Sequence, residues 1–144
     1  MNTDALNDLT FLVIQSAIEI HKTLGPGLLE GAYRTCMIYE LGERALSVSA
    51  EQVLPVRYKG LVLDGGYRLD LLVQDEIIVE LKSVETVLPV HYAQVLSYLR
   101  LTGKTLGLLI NFNVPRLVDG VTRVANNFGT APAALAAKRP TLQK

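Results

Sequence analysis

The stretch Asp70-Leu-Leu-Val-Gln-Asp-Glu-Ile-Ile-Val-Glu-Leu-Lys82 decides how this chain is read. Two apolar runs flank the polar trio Gln74-Asp75-Glu76, the pattern of a β-hairpin. If that trio is the loop and Val73 lies opposite Ile77, Asp70 falls opposite Glu80 and Arg68 opposite Lys82. Side chains alternate along a strand, so Glu80 and Lys82 share a face. Two facing carboxylates repel by a few tenths to ~1 kcal/mol. Something must compensate, and a divalent cation is the simplest candidate. A slip of one residue would undo the arrangement, so the expectation depends on the turn.

The rest of the chain gives the hairpin its surroundings. Leu6, Leu9, Val13, Ala17, Ile20 and Leu24 recur at spacings of three and four, which predicts a helix over 4–24. Thr3 or Asp4 would cap it, and Gly25-Pro26-Gly27 would end it. A second helix is expected over 28–44, with Leu29, Tyr33, Cys36, Met37 and Leu41 inward. Glu30 in its first turn suits the helix dipole and an i, i+4 pair with Arg34, as well as a site role. Residues 52–59 read as a strand, with Leu54, Val56 and Tyr58 on one face and Arg57 and Lys59 on the other. Pro55 suits an edge position or an irregularity in it, and Leu61 to Leu63 would extend it as a hairpin. The central hairpin, over 67–82, is apolar on both parities, which implies a sheet covered on both sides. A helix over 90–102 brings His91, Gln94 and Tyr98 near one another, and a buried strand over 105–112 follows. Strand, helix, strand implies a crossover and a parallel neighbour. A short strand is expected over 121–124. Beyond Phe128 the chain turns rich in Ala and Pro and ends with Lys138, Arg139 and Lys144. That sets the expected domain at 1–128 and a mobile tail at 129–144, with a frayed helix at 133–138 and a weak phosphate-binding role as the most it would add.

Composition excludes several classes. The 144 residues suit one domain, and 49% hydrophobic with 19% charged residues suits a globular chain. Formal net charge is zero, so a nucleic-acid partner would need a local basic surface. Arg34, Arg57, Lys59, Arg68, Arg100 and Lys104 could supply it. Cys36 is the single cysteine, which rules out a disulfide framework or a cysteine zinc site; it reads as a small core residue. No signal peptide or membrane-length apolar run is legible, so the expected location is cytoplasmic.

The element order predicts an α/β sandwich. Carboxylates and a lysine on one face of its central hairpin suit phosphodiester hydrolysis. Mg²⁺ commonly needs only one or two carboxylates besides water and substrate phosphate. These residues resemble the PD-(D/E)XK nuclease superfamily: Asp70, then Glu80-Leu81-Lys82, with Leu69 where the motif has Pro. More narrowly, Gly27-Leu28-Leu29-Glu30-Gly31-Ala32-Tyr33 resembles the motif of the GxxExxY protein family. The resemblance runs from about Ile14 to Val124 and includes Ala17 to His21, Pro89-Val90-His91 and Gln94 to Tyr98.

It implies a restriction-endonuclease-like three-layer sandwich, a central mixed β-sheet with helices on both faces. It implies that Asp70 and Glu80 bind Mg²⁺ or Mn²⁺, that Lys82 serves the nucleophilic water, and that Glu30 sits near the metal. Gln94 and Tyr98 resemble the Gln-x-x-x-Tyr element of RecB-like nucleases and would contact nucleic acid, with Arg68 beside them. Glu19 and His91 are further candidates; the plainer expectations are a solvated helix residue for Glu19 and a helix cap or packed ring for His91. Three readings stand open: a metal-dependent nuclease, with DNA the favoured substrate; a non-catalytic module of the same fold, acting through protein or nucleic-acid binding; and some other metal-dependent hydrolase. Small size and zero charge leave room for a homodimer or partner protein on duplex DNA.

Overall fold

A computed structural model describes residues 1–63 and 65–126. The first helix, α1 (Thr3–Leu24), buries Leu9, Val13, Ala17 and Ile20, the stripe its periodicity requires. Its cap is Asn2, not Thr3 or Asp4: the Asn2 side chain accepts from the Ala5 N–H at 2.8 Å. Gly25, at φ 69°, closes the last turn by donating to the His21 carbonyl. The second helix, α2 (Glu30–Glu43), starts two residues later than expected, leaving Leu29 exposed while Tyr33, Met37 and Leu41 are buried.

The chain then forms β1 (Val48–Val53), β2 (Val56–Tyr58), β3 (Leu61–Leu63), β4 (Arg68–Val73), β5 (Ile77–Lys82), α3 (Pro89–Thr102), β6 (Leu106–Asn111) and β7 (Val121–Ala125), with a 3₁₀ turn at Leu117–Gly120. The expected strand over 52–59 is therefore two strands. Pro55 cannot donate to a ladder, and the chain leaves one sheet for another at Leu54-Pro55. Lys59 lies beyond β2, at φ 48° in the turn to β3.

The main sheet has the order β1-β4-β5-β6-β7, and β2 with β3 forms a separate two-stranded ribbon. β5 and β6 run parallel, joined by α3, and the other neighbours are antiparallel. In the hairpin Val73 pairs with Ile77 and Leu71 with Val79, the expected register. Gln74 and Asp75 make the turn at φ 54° and 56°, and the Gln74 carbonyl oxygen of the side chain takes the Ser47 N–H and hydroxyl.

Alternation splits the sheet into two faces. Leu71, Val73, Ile77, Val79 and Leu81 pack under α1 and α2. Leu72 and Ile78 pack on the other side under Val95, Tyr98 and Leu99 of α3. Gly107 permits that approach, because a Cβ there would meet Val95 Cγ1 at 2.6 Å. The result is a three-layer α/β sandwich with a mixed sheet, of the restriction-endonuclease-like kind. The expected tail, with its frayed helix and phosphate-binding role, lies outside the described residues. No helix among the described residues is long and apolar enough to cross a membrane.

Candidate active site on the central hairpin

Asp70 and Glu80 lie one step beyond the last regular pair of the hairpin, where side chains replace the backbone ladder. Glu80 Oε1 accepts from the Asp70 N–H at 3.2 Å, and Asp70 Oδ2 accepts from the Leu81 N–H at 2.9 Å. The facing carboxylates are thus tied to each other's strands. Glu80 is only 6% exposed, and its pKa is pushed up to about 8. Burial is the larger cause and the Asp70 charge the next; the Asp70 N–H and the Lys82 cation pull the other way.

The compensating charge is a guanidinium. Arg34 Nε and Nη2 reach Asp70 Oδ1 at 3.0 and 2.9 Å, and Nη1 stands 4.0 Å from Glu51. Arg34 therefore does not make the i, i+4 pair expected with Glu30. α2 lays it across β1 and β4 instead. The opposed carboxylates need no bound cation to coexist: one is paired with Arg34, and the other favours its protonated form. Sequence spacing gave no signal for this contact, since 36 positions separate Arg34 and Asp70.

Lys82 follows Glu80 on the same parity and is half-buried at the end of β5. The chain just after it is braced from two sides. Buried Asn111 accepts from the Val84 N–H at 3.1 Å and donates to the Val84 carbonyl at 3.0 Å. The Ser83 hydroxyl donates to the Leu28 carbonyl. A polar Asn closing an otherwise apolar strand was the legible hint of that role. The Leu28 link joins the end of β5 to the start of α2, where Glu30 sits. The Tyr33 hydroxyl donates to the Gly25 carbonyl and accepts from the Leu28 N–H, while its ring stacks on Phe112 at 4.2 Å. The Gly27, Glu30, Tyr33 spacing thus has a structural content: Tyr33 holds the loop from which Glu30 enters the helix.

The other candidates divide. Tyr98 stands close enough to Glu80 and Asp70 to feel both. Its phenol is raised by burial first and by the Glu80 charge next, while the neighbouring Gln94 side chain opposes the shift. Gln94 and Tyr98 line a groove of about 420 Å³ with Tyr67 and Val56. His91 caps α3 by accepting from the Leu88 N–H at Nδ1, 3.0 Å away. Its pKa is lowered by burial and by the Lys82 cation, against the Glu30 charge, so Lys82, Glu30 and His91 share one electrostatic neighbourhood.

Arg68 is exposed and pairs with Val53 on β1; the β4–β5 ladder ends before it could face Lys82. Glu19 is exposed and lines a separate groove between α1 and α2 with Cys36 and Tyr39. Among the described residues no hydrogen bond or ion pair joins Glu19 to Asp70, Glu80 or Lys82. Likewise, among the described residues no three His, Cys, Asp or Glu side chains converge to hold a metal ion. Glu30 is placed by its influence on His91, at the start of α3. The Asp70–Glu80 pair offers hard oxygen donors alone, a set that suits Mg²⁺ or Mn²⁺ over softer metals.

Comparisons with curated proteins and with solved structures gave no match. A family model described as the PD-(D/E)XK nuclease superfamily matches residues 7–124, from within α1 to within β7. That span takes in the whole hairpin and both helices that flank its polar end, and on that ground the chain belongs to the PD-(D/E)XK nuclease superfamily.

Proposed function

We propose that the chain is a Mg²⁺- or Mn²⁺-dependent nuclease, acting on DNA in preference to RNA. The observation that carries the reading is the Asp70–Glu80 pair, bonded across the hairpin, with Lys82 on the same face. Asp70 and Glu80 would hold the cation, which when bound supplies polarisation of a phosphoryl oxygen and a more acidic water.

Every other part belongs to the chain's own side chains. The Lys82 ammonium orients the attacking water and stabilises the negative charge that grows on the phosphoryl oxygens. Water oxygen bonds to phosphorus as the phosphorus–oxygen bond to the leaving sugar breaks, and a proton passes to the leaving oxygen. Glu30 tunes the charge around Lys82. Gln94, Tyr98 and Arg68 contact the nucleic acid. Glu19, in the α1–α2 groove, and His91, engaged as a cap, have no part in the chemistry. The finer assignment to the GxxExxY group rests on Gly27, Glu30 and Tyr33.

The test uses labelled single- and double-stranded DNA and RNA with Mg²⁺, Mn²⁺ or EDTA. Cleavage of DNA with either metal is expected, with none in EDTA and a loss of roughly 10²–10³-fold in Lys82→Ala. Cleavage that survives both Asp70→Ala and Glu80→Ala refutes the site. No cleavage, together with no heat of Mn²⁺ binding, assigns the chain to the non-catalytic module.

A further inference from the structure

The ribbon β2–β3 has a face with no covering element among the described residues. Val56 pairs with Leu63 and Tyr58 with Leu61, and cross-strand partners share a face. That face is therefore apolar and aromatic throughout. It is also open: Tyr58 is 58% and Leu61 61% exposed. At the Val56 end it runs into the 420 Å³ groove, whose walls include Tyr67 and Val90 and whose floor reaches Gln94 and Tyr98. Gly65 lets the Tyr67 ring lie against the backbone, since a Cβ there would stand 2.5 Å from the ring. Three tyrosines, Tyr98, Tyr67 and Tyr58, thus mark a track that leads away from the carboxylate pair.

Two cations border the track: exposed Lys59 at its Tyr58 end and exposed Arg68, which follows Tyr67. Arg57, paired with Val62, lies on the other face of the ribbon, and Asp64 precedes Gly65 in the sequence. Lys59 Nζ stands 5.3 Å from the centre of the Tyr58 ring, so a cation and an aromatic face are presented together. Exposed rings with interspersed cations match a strand whose bases are free to stack and whose phosphates are close by. A duplex hides its base faces, and draws its affinity from many phosphate contacts that this face does not offer.

We infer that the β2–β3 ribbon and the Tyr67 groove bind unpaired nucleotides and feed them to the hairpin site, which makes single strands, overhangs or flaps the substrate class. The inference deepens the nuclease reading and rests on it for nucleic acid as the ligand. It concerns binding, so it is tested apart from cleavage.

The full chain is titrated in EDTA, by fluorescence anisotropy, against a labelled oligothymidylate and a labelled blunt duplex of equal length. The single strand should bind at least tenfold more tightly. Tyr58→Ala and Tyr67→Ala should each weaken it by roughly fivefold to a hundredfold, the range for loss of one stacked base. Both side chains are exposed, so both variants should fold; Tyr67→Phe keeps the ring and should bind like wild type. Equal or tighter binding of the duplex overturns the inference, as does unchanged single-strand binding in both alanine variants. Sedimentation gives the other occupant its chance: a dimer that Leu61→Glu splits, with single-strand affinity unchanged, assigns the face to a second copy and overturns the inference. A chain that binds single strands through both tyrosines but cleaves nothing with Mg²⁺ or Mn²⁺ defeats the nuclease reading and leaves this one standing.

Discussion

The two faces of β4 and β5 are made from the same twelve residues and do opposite work. One face, formed by Leu71, Val73, Ile77, Val79 and Leu81, is wholly buried and wholly apolar. The other begins apolar at Leu72 and Ile78, then turns ionic at Asp70, Glu80 and Lys82. The difference follows from what covers each face. Two helices lie over the first, and one helix over the second, so the second has an end that is less covered. A buried polar group is tolerated there only because each carboxylate finds a partner: Arg34 and a backbone N–H for Asp70, a backbone N–H and a proton for Glu80. The first face offers no such partners.

That contrast is open to direct attack. Val79→Asp puts a carboxylate on the apolar face, one residue from a natural carboxylate and on the wrong side of the sheet. A charge buried there without a partner should cost on the order of 4 kcal/mol or more, enough to unfold a domain of ordinary stability. Far-UV circular dichroism and a thermal melt read the result. A Val79→Asp chain that melts like wild type would show that the faces are not distinguished by burial.

A smaller effect tests the ionic face in the absence of metal. The folded chain keeps a proton on Glu80 up to about pH 8, whereas the unfolded chain releases it near the ordinary value of 4.5. Folding therefore takes up a proton between about pH 4.5 and about 8. The stability that Glu80 contributes is complete below that interval and is lost as pH rises through it. Glu80→Gln removes the titration. Measured by urea denaturation in EDTA, its stability relative to wild type should rise by a few kcal/mol between pH 5 and pH 8.5. A difference that stays constant with pH would mean that Glu80 is ionised throughout.

Much of this arrangement could be read from local pattern. The hairpin register followed from alternation and the polar trio at 74–76, and with it the opposition of Asp70 and Glu80. The crossover between β5 and β6 followed from element order. The strand β1 was not legible before Gln52, because Ser49 and Ala50 have weak strand preference and take their conformation from pairing with β4, while Glu51 has no partner in the register and sits at φ 50°. Its separation from β2 at Pro55 was foreseen only as an irregularity. Asn111, which braces Val84 across 27 positions, left a hint as a polar residue ending an apolar strand, but the reach of Arg34 to Asp70 left no trace. Arg34 looked like a helix partner of Glu30, since i, i+4 spacing is visible in a sequence and a reach to Asp70 is not.

Arg34 also gives the contrast its finest test. Its guanidinium donates one of the two hydrogen bonds that the Asp70 side chain accepts among the described residues and makes a second ion-pair contact at 2.9 Å, and both groups are mostly buried. Arg34→Ala would leave Asp70 one backbone donor, with the Glu80 carboxyl as its nearest neighbour. Hydrogen bonds to charged groups in such places contribute about 1.5–3 kcal/mol, and the charge left behind adds a penalty of its own. Partial exposure at the site lets water recover some of that, so the expected loss is about 1–3 kcal/mol in EDTA at neutral pH. Pairing the change with Asp70→Asn sharpens the result. If the ion pair is what holds the ionic face together, Arg34→Ala should cost much less when Asp70 is already Asn, and a urea-denaturation double-mutant cycle measures the difference. Strictly additive losses would show that Arg34 stabilises α2 by packing alone. The two facing carboxylates would then owe their coexistence to the Glu80 proton.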